Sequence, residues 1–185
     1  MGSPFIAFYC IFNVTKNKIQ MTCKCRNQPT NVPLNAEWGP AFWKLIHALA
    51  EKAGSAPLPG LQGDETRAWK IILTTLPNAL ACEDCRIHLT AYITTNPINI
   101  PDKYSDLREY VRTYLYLLHE DVNKRLNKKP FGKVDLGSLY GKVNLRQAFD
   151  VTNVIVHRSI LATAVPILSW NNWSSQVRTL LGMYS

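Results

Sequence analysis

The segment LREYVRTYLYLLHEDVNKRL, residues 107–126, has the clearest helical pattern in the chain and decides its fold class. Its apolar residues recur three or four positions apart, which places them on one continuous stripe of an α-helix. They are Leu107, Val111, Tyr114, Leu115, Leu118, Val122 and Leu126. Pro130 and Gly132 follow, and we expect them to end the helix. A helix with this pattern buries its apolar face against other elements of the fold.

Further helices are predicted on both sides of this segment. Helical spacing predicts them at 38–52, at 68–76, from Cys82 to just before Asn96, from Asn144 to about Ala164, and, as a short last helix, at 174–181. In the first of these we expect Pro40 in the first turn, where its missing N–H costs nothing. Residues 54–63 contain two prolines and three glycines and are predicted to be a loop. No strand pattern competes, so an all-α four-helix bundle is the predicted fold.

The composition limits the classes of protein to which the chain can belong. It has 185 residues, of which 46% are hydrophobic, so it can bury a core of its own. Its formal net charge is +8, but Lys and Arg are dispersed apart from a short cluster at 124–129. This pattern indicates a generally basic surface and argues against a nucleic-acid partner. No stretch reaches the roughly 18 uninterrupted apolar residues of a membrane span, and no secretory signal is evident.

The cysteines occur as two close pairs and one single residue. Cys23 and Cys25 form a CxC, Cys82 and Cys85 form a CxxC, and Cys10 stands alone. An odd count with close pairs is not typical of a small disulfide-stapled secreted domain, and it indicates redox exchange or metal binding. Residues 1–35 have no helical period, and we expect them to be an N-terminal arm, mobile around the CxC.

The CxxC lies at the predicted start of a helix. There, exposed N–H groups and the helix dipole favour a thiolate, while the spacing allows the two thiols to close a disulfide. Glu83 and Asp84 oppose the thiolate by like-charge repulsion, and Arg86 offsets them. The alternative is half of a zinc site.

Three predicted helices each carry a pair of polar or aromatic residues on one face, because the members of each pair are three or four positions apart. The pairs are Trp43 with His47, Cys85 with His88, and His119 with Asn123. A flat heteroaromatic ligand between helices would need such groups, since rings stack on it and side chains bond its nitrogens. Lys128 and Lys129 are candidates to hold a pyrophosphate; the alternative is that they only interact with the dipole at the end of the helix.

Three motifs resemble those of the Erv/ALR sulfhydryl oxidases, in the same order and spacing. The segment WGPAFWKLIHALA, residues 38–50, resembles the family's opening W-x3-H-x2-A signature. The segment CEDCRIHL, residues 82–89, resembles its redox motif, a CxxC followed by a histidine three residues later. The segment HEDVNKRLNKKP, residues 119–130, resembles its H-N-x-V-N-x-x-L-x-K-P segment and is most like the versions of large DNA viruses.

The resemblance implies a bundle of four helices with a short fifth, holding FAD at its mouth. It divides the chain into the arm 1–35, an FAD-binding sulfhydryl oxidase domain at 36–141, and a C-terminal helical extension at 142–185. It also implies a homodimer.

The resemblance further implies roles for individual residues. Cys82 would exchange with incoming dithiols, and Cys85 would lie next to the isoalloxazine. The residues implied to bind the cofactor are Trp38, Trp43, His47, Cys85, His88, His119, Asn123 and Lys128.

The sequence departs from the family pattern at several positions. Glu120 stands where the family has Asn, and Pro40 stands where it has Arg. A tryptophan that the family places beyond the K-P segment is replaced here, with Tyr140 as the candidate. The cysteine pair that braces the bundle ends in other members is missing.

The sequence therefore predicts an FAD-dependent thiol oxidase, which forms disulfides in protein substrates and reduces oxygen to hydrogen peroxide. Cys23 and Cys25 are candidates for a shuttle that relays electrons to the CxxC, and no metal is expected. One alternative is a zinc-binding helical module that uses both cysteine pairs, and another is a basic nucleic-acid-binding scaffold. We expect the host cytoplasm and the virus particle as the location of a viral protein.

Overall fold

A computed structural model describes residues 14–15, 18–19, 32–33, 35–130 and 132–184. Within them the fold is helical, which confirms the predicted all-α class, and one two-residue ladder pairs β1 (Val14–Thr15) with β2 (Lys18–Ile19). Most of the predicted arm, including Cys10, Cys23 and Cys25, lies outside the described residues. The helices are α1 (Asn35–Ala50), α2 (Gln62–Thr75), α3 (Glu83–Thr95), α4 (Leu107–Arg125), α5 (Leu136–Tyr140), α6 (Leu145–Leu161) and α7 (Ile167–Met183).

The first helix begins earlier than the sequence pattern predicted. It starts at Asn35 and not at Trp38, so Pro40 lies inside the helix and the prediction that it occupies the first turn was wrong. Pro40 is exposed, whereas Trp38 is buried. Burying the tryptophan favours an additional helical turn, although proline removes one hydrogen bond. The predicted stripe Phe42, Leu45 and Leu49 is buried as expected.

The third and fourth helices agree with the sequence pattern. Cys82 is the N-cap of α3, and α4 buries most of the predicted stripe of residues 107–126. Beyond α4, Asn127 adopts a left-handed conformation with φ of 52°. The N–H of Lys128 donates to the carbonyl of Asn123 over 2.8 Å. This left-handed helix end is a Schellman motif, and it turns the chain sharply after the last turn of α4.

The two C-terminal helices were predicted with unequal success. Asn144 caps α6 as predicted, its side chain accepting a hydrogen bond from the N–H of Gln147. The helix ends at Leu161, before the predicted Ala164. The last helix was predicted at 174–181 but extends over Ile167–Met183, so that prediction was wrong. Burial of Trp170 and Trp173 explains the difference, because tertiary packing outweighs the low helix propensity of the Asn and Ser residues around them.

The C-terminal helices share the core of the bundle. Helix α6 packs against α1, and α7 packs against α2. Phe42 of α1 stacks on Trp173 of α7 with ring centroids 5.2 Å apart. The indole N–H of Trp173 donates to the carbonyl of Ile72 in α2. The boundaries at 35 and 141 stay predictions, but the extension is part of one apolar core with α1 and α2.

A buried carboxylate ties the end of the chain to the bundle. Glu65 of α2 is fully buried and accepts hydrogen bonds from the N–H groups of Gly54 and Ala56 and from the hydroxyls of Tyr104 and Tyr184. Burial and the neighbouring carboxylate raise the pKa of Tyr104 to about 12. Burial, and then the hydrogen bond to Glu65, raises the pKa of Tyr184 as well, so both hydroxyls stay protonated and keep donating. Separately, none of the described helices is long and apolar enough to cross a bilayer.

Candidate active site

The redox pair occupies the first turn of α3. Cys82 and Cys85 are joined by a disulfide, with their Cα atoms 5.1 Å apart. Sγ of Cys82 also accepts a hydrogen bond from the N–H of Cys85 over 3.2 Å. Only 1% of Cys82 is exposed, whereas Cys85 is partly exposed. The helix N-terminus stabilises the thiolates that form when the disulfide is reduced.

Four rings from three helices form a stacked group, which we call the ring cluster: Trp43 and His47 of α1, His119 of α4 and Tyr140 of α5. The rings of Trp43 and His119 are 3.9 Å apart and 4° from parallel. Tyr140 stacks on His47 at 4.9 Å. Tyr140 is the candidate counterpart of the family's tryptophan, and its position in the cluster supports that assignment. Because Trp43 and His119 are in direct contact, a cofactor ring must stack on the outside of the pair.

The two histidines of the ring cluster are held neutral. Their Nε2 (His47) and Nδ1 (His119) atoms share one hydrogen bond of 2.9 Å, in which one ring N–H donates to the other ring's nitrogen. Burial, and then the charge of His119, lowers the pKa of His47 to about 3. Burial is also the main cause that lowers the pKa of His119 to about 4; Glu120 opposes this shift and Lys128 adds to it. Neutral imidazoles can both donate and accept, as binding to a flavin or adenine ring requires.

A cleft of about 830 Å³ lies between α3 and α4, within the range of clefts that hold cofactor-sized ligands. His88 and Tyr92 line it from α3, and Asn123 lines it from α4. Lys124 and Lys128 supply cations at its wall, and Asp121 supplies a carboxylate. The structure therefore brings together three of the predicted cofactor-binding residues, His88, Asn123 and Lys128. Cys85 lies one helical turn before His88, on the same face of α3.

Glu120, which stands where the family has Asn, lines the cleft. Glu120 accepts a hydrogen bond from the side-chain N–H of Asn123 over 3.1 Å, and both residues line the cleft. Asn123 is buried. Glu120 thus orients the amide of Asn123, while it also brings a negative charge to a site with two lysines.

Trp38 lies apart from the other predicted cofactor-binding residues. It packs edge-to-face against Phe42, with ring centroids 6.0 Å apart, and is buried in the apolar core. At 100° per residue, Trp38 is about 140° around α1 from Trp43 and about 180° from His47. The structure does not bring Trp38 into the ring cluster, and its cofactor role stays a prediction. The candidate shuttle pair, Cys23 and Cys25, lies outside the described residues.

The chemistry of these side chains fits FAD. The ring cluster offers flat faces, Asn123 offers an amide, and the lysines of the cleft suit a diphosphate. A metal ion has less support, because no three His, Cys, Asp or Glu side chains in the described ranges are grouped to bind one. Cys82 and Cys85 are also joined in a disulfide, in which their sulfurs do not act as thiolate ligands.

Sequence reasoning missed two features around the site. The side chain of Arg86 was considered only as a charge beside the cysteines, yet it hydrogen-bonds to the carbonyls of Leu80 and Ala164. No sequence signal reveals that long-range contact. Glu65 could have been found, because it occupies the apolar stripe of α2 with Ala68 and Ile72, where an acidic residue must be satisfied internally.

Comparison with known proteins agrees with this geometry. A family model described as the Erv1 / Alr family matches residues 40–140. An FAD-linked sulfhydryl oxidase of African swine fever virus (isolate Pig/Kenya/KEN-50/1950) is 31% identical over 103 residues, which cover 56% of this chain and 79% of that protein. The Putative FAD-linked sulfhydryl oxidase 096R of Invertebrate iridescent virus 3 is 26% identical over 136 residues, covering 74% of this chain and 80% of the relative. No solved structure matches the chain.

Proposed function

The chain belongs to the Erv1 / Alr family, and we propose that it works as an FAD-linked sulfhydryl oxidase, forming disulfides from dithiols while oxygen is reduced to hydrogen peroxide. The observation that carries this function is the disulfide at the start of α3, with Cys85 one turn from a cleft that His88, Asn123 and Lys128 line.

Thiol–disulfide exchange explains the chemistry of the cysteine pair. A substrate thiolate attacks Sγ of Cys82, the bond between Cys82 and Cys85 breaks, and Cys85 leaves as a thiolate. The second substrate thiol then attacks the mixed disulfide and releases Cys82. The substrate loses two electrons and the CxxC gains them. At the N-terminus of α3 the N–H of Cys85 donates to Sγ of Cys82, so the helix start stabilises the thiolate of Cys82 when the second substrate thiol releases it.

The cofactor would be held by three kinds of contact. The ring cluster would stack on its rings, His88 and Asn123 would hydrogen-bond to it, and Lys128 with Lys124 would neutralise its diphosphate. When bound, FAD supplies the redox chemistry that links the dithiol to oxygen. The neutral histidines add no positive charge to the stacked face, and Lys124 and Lys128 line the cleft.

The substrates, the electron relay and the oligomeric state of the chain are further proposals. We propose that the physiological dithiols belong to proteins and that Cys23 and Cys25 relay electrons from them. We also propose a homodimer, for which the exposed apolar side chains Val151, Val154 and Leu161 on α6 provide surface. Sedimentation of the purified chain and turnover of a Cys23→Ser/Cys25→Ser variant would test these two proposals.

The location is proposed from the relatives alone. The named relatives come from African swine fever virus and an invertebrate iridescent virus. We therefore propose that the chain acts in the host cytoplasm and in the virus particle. Immunoblots of purified particles and of fractionated infected cells would test this proposal.

The proposed activity is tested with the purified chain after FAD has been added and the excess removed. We expect a flavin absorption band, oxygen consumption with dithiothreitol, and an equivalent amount of hydrogen peroxide. Cys85→Ser should keep the flavin band and lose turnover by about a thousandfold or more. A colourless protein with bound zinc would favour the zinc module, and salt-sensitive binding of nucleic acid without turnover would favour the basic scaffold.

A further inference from the structure

The sulfur that must be attacked is the one that the protein covers. Cys82 is 1% exposed, although thiol exchange requires a thiolate to approach its Sγ along the disulfide bond. The other sulfur, Cys85, is partly exposed and belongs to the face of α3 that carries His88, a residue of the cleft. A protein dithiol therefore reaches the pair only if the polypeptide over Cys82 moves.

Arg86 links the redox turn to the C-terminal extension. Its backbone N–H donates to the carbonyl of Cys82 over 3.0 Å, which fixes it in the first turn of α3. Its Nη1 donates to the carbonyl of Leu80 over 2.8 Å and to that of Ala164 over 3.0 Å. Leu80 lies two residues before Cys82, and Ala164 lies in the connection between α6 and α7. The guanidinium of Arg86 thus joins the segment that leads into the first turn of α3, which carries the cysteine pair (the redox turn), to Ala164, 78 residues further along the chain.

Residues 162–166 form that connection between α6 and α7. Thr163 adopts a left-handed conformation with φ of 59°, which is uncommon for a β-branched residue. The N–H of Ala164 donates to the carbonyl of Ser159 over 2.8 Å. Val165 is 1% exposed and belongs to the same apolar core as Cys82. Because one nitrogen of Arg86 contacts both the carbonyl of Ala164 and that of Leu80, the connection lies beside the segment that leads into Cys82.

We propose that Arg86 and the 162–166 connection decide which dithiols reach Cys82. Arg86 is a positioning residue that holds the connection closed through its hydrogen bond to Ala164. A small dithiol needs only a slight opening, whereas a folded protein dithiol needs the connection to move aside. The extension would thus act as a filter for substrates of the oxidase, and this inference rests on the proposed function.

The strength of the contact suits such a filter. Hydrogen bonds from a charged guanidinium are stronger than those between neutral groups. Because the two carbonyls share one donor nitrogen, moving the connection breaks one contact while the other can persist. Moving the connection away from Arg86 then costs the free energy of one hydrogen bond and leaves the first turn of α3 intact.

The test compares Arg86→Gln with Arg158→Gln. Arg158 also joins the extension to the bundle, through an ion pair with Glu37 of α1, but it is exposed and belongs to no part of the redox machinery. The purified proteins are mixed anaerobically with either dithiothreitol or reduced thioredoxin, a folded and strongly reducing dithiol. Loss of the Cys82–Cys85 disulfide is followed by rapid alkylation and mass spectrometry, a readout that requires neither bound FAD nor oxygen.

We expect Arg86→Gln to accelerate reduction by thioredoxin roughly tenfold, which corresponds to about 1.4 kcal/mol. Reduction by dithiothreitol should change by less than about threefold, and Arg158→Gln should match the wild type with both dithiols. Arg86→Lys keeps a cationic donor and should fall between wild type and Arg86→Gln. It also serves if Arg86→Gln does not fold, as judged by thermal unfolding.

Equal acceleration with both dithiols would overturn the proposal, because Arg86 would then act on the disulfide itself and not on access. No acceleration with thioredoxin would overturn it as well. A chain that binds no FAD would contradict the proposed function while leaving this measurement interpretable.

Discussion

Helix α1 presents two stacks of aromatic rings on opposite faces, and they differ in kind. On one face Trp38 packs against Phe42, which stacks on Trp173 at 5.2 Å. On the other face Trp43 stacks on His119 at 3.9 Å. The first group is buried throughout, whereas Trp43 and His119 stay partly exposed.

The difference shows how to separate a core from a binding site. Ring geometry alone does not do so, since each group contains a stacked pair of rings. In the first group the indole N–H of Trp173 is satisfied by the carbonyl of Ile72, a contact inside the protein. In the second group the imidazoles of His47 and His119 give it polar atoms that a buried apolar stack lacks. Partial exposure combined with neutral ring nitrogens marks the face that suits a ligand.

The largest expected effect is on stability, and it should be confined to the first face. Trp173→Ala removes a fully buried indole and should lower the free energy of unfolding by about 3–5 kcal/mol. Trp43→Ala removes a partly exposed ring and should cost less than about 2 kcal/mol. Urea denaturation followed by circular dichroism would measure both. Equal losses would mean that the two faces are equally part of the core.

The second prediction concerns pH and depends on the other face. The pKa values of His47 and His119 lie near 3 and 4 in the folded chain but near 6.5 when unfolded. Below pH 6.5 the unfolded chain therefore binds more protons, so stability should fall as the pH is lowered from 6.5 towards 4. We expect a loss of roughly 3–4 kcal/mol between pH 7 and pH 5, somewhat less than about 2 kcal/mol from each histidine.

The matched control for that prediction is the double variant His47→Gln/His119→Gln. It lacks both titrating rings, so its unfolding free energy should vary much less over the same pH range. If wild type and the double variant lose stability in parallel, the two histidines are not held neutral by burial.

The smallest expected effect is at the residue that departs from the family. Glu120→Asn restores the family residue and removes a negative charge from the cleft, while its amide oxygen can still accept from Asn123. We expect FAD to bind about two- to threefold more tightly, with a difference that shrinks at high salt. Glu109→Gln is a suitable control, because Glu109 pairs with Lys133 and does not line the cleft. Weaker binding by Glu120→Asn would mean that the carboxylate itself contacts the cofactor.

Local patterns predicted much of the fold. The helical period of residues 107–126 predicted α4, and the CxxC predicted the start of α3. Asn144 predicted the cap of α6. Each of these features depends on neighbours in sequence. The start of α1 and the length of α7 were mispredicted because burial of Trp38 and Trp173 overrides the local propensity of Pro, Asn and Ser.

The site was also predictable only where it depends on residues close in sequence. Helical spacing correctly placed Trp43 with His47 on one face, and the structure adds Tyr140 to them. The hydrogen bond between Arg86 and Ala164 was not predictable, since nothing local indicates which distant carbonyl a guanidinium will meet. The position of Trp38 on the opposite face follows from helical geometry, although the family motif groups it with Trp43.

The affinity for FAD of Trp43→Ala and Trp38→Phe tests most directly whether the ring-cluster face of α1 holds the cofactor. Titration of each apoprotein with FAD, followed by quenching of flavin fluorescence, gives the two dissociation constants. We predict that Trp43→Ala binds FAD roughly tenfold or more weakly, about 1.4 kcal/mol, and that Trp38→Phe stays within about twofold of wild type. Unchanged binding by Trp43→Ala, together with a large loss in Trp38→Phe, would place the cofactor on the other face and contradict this account.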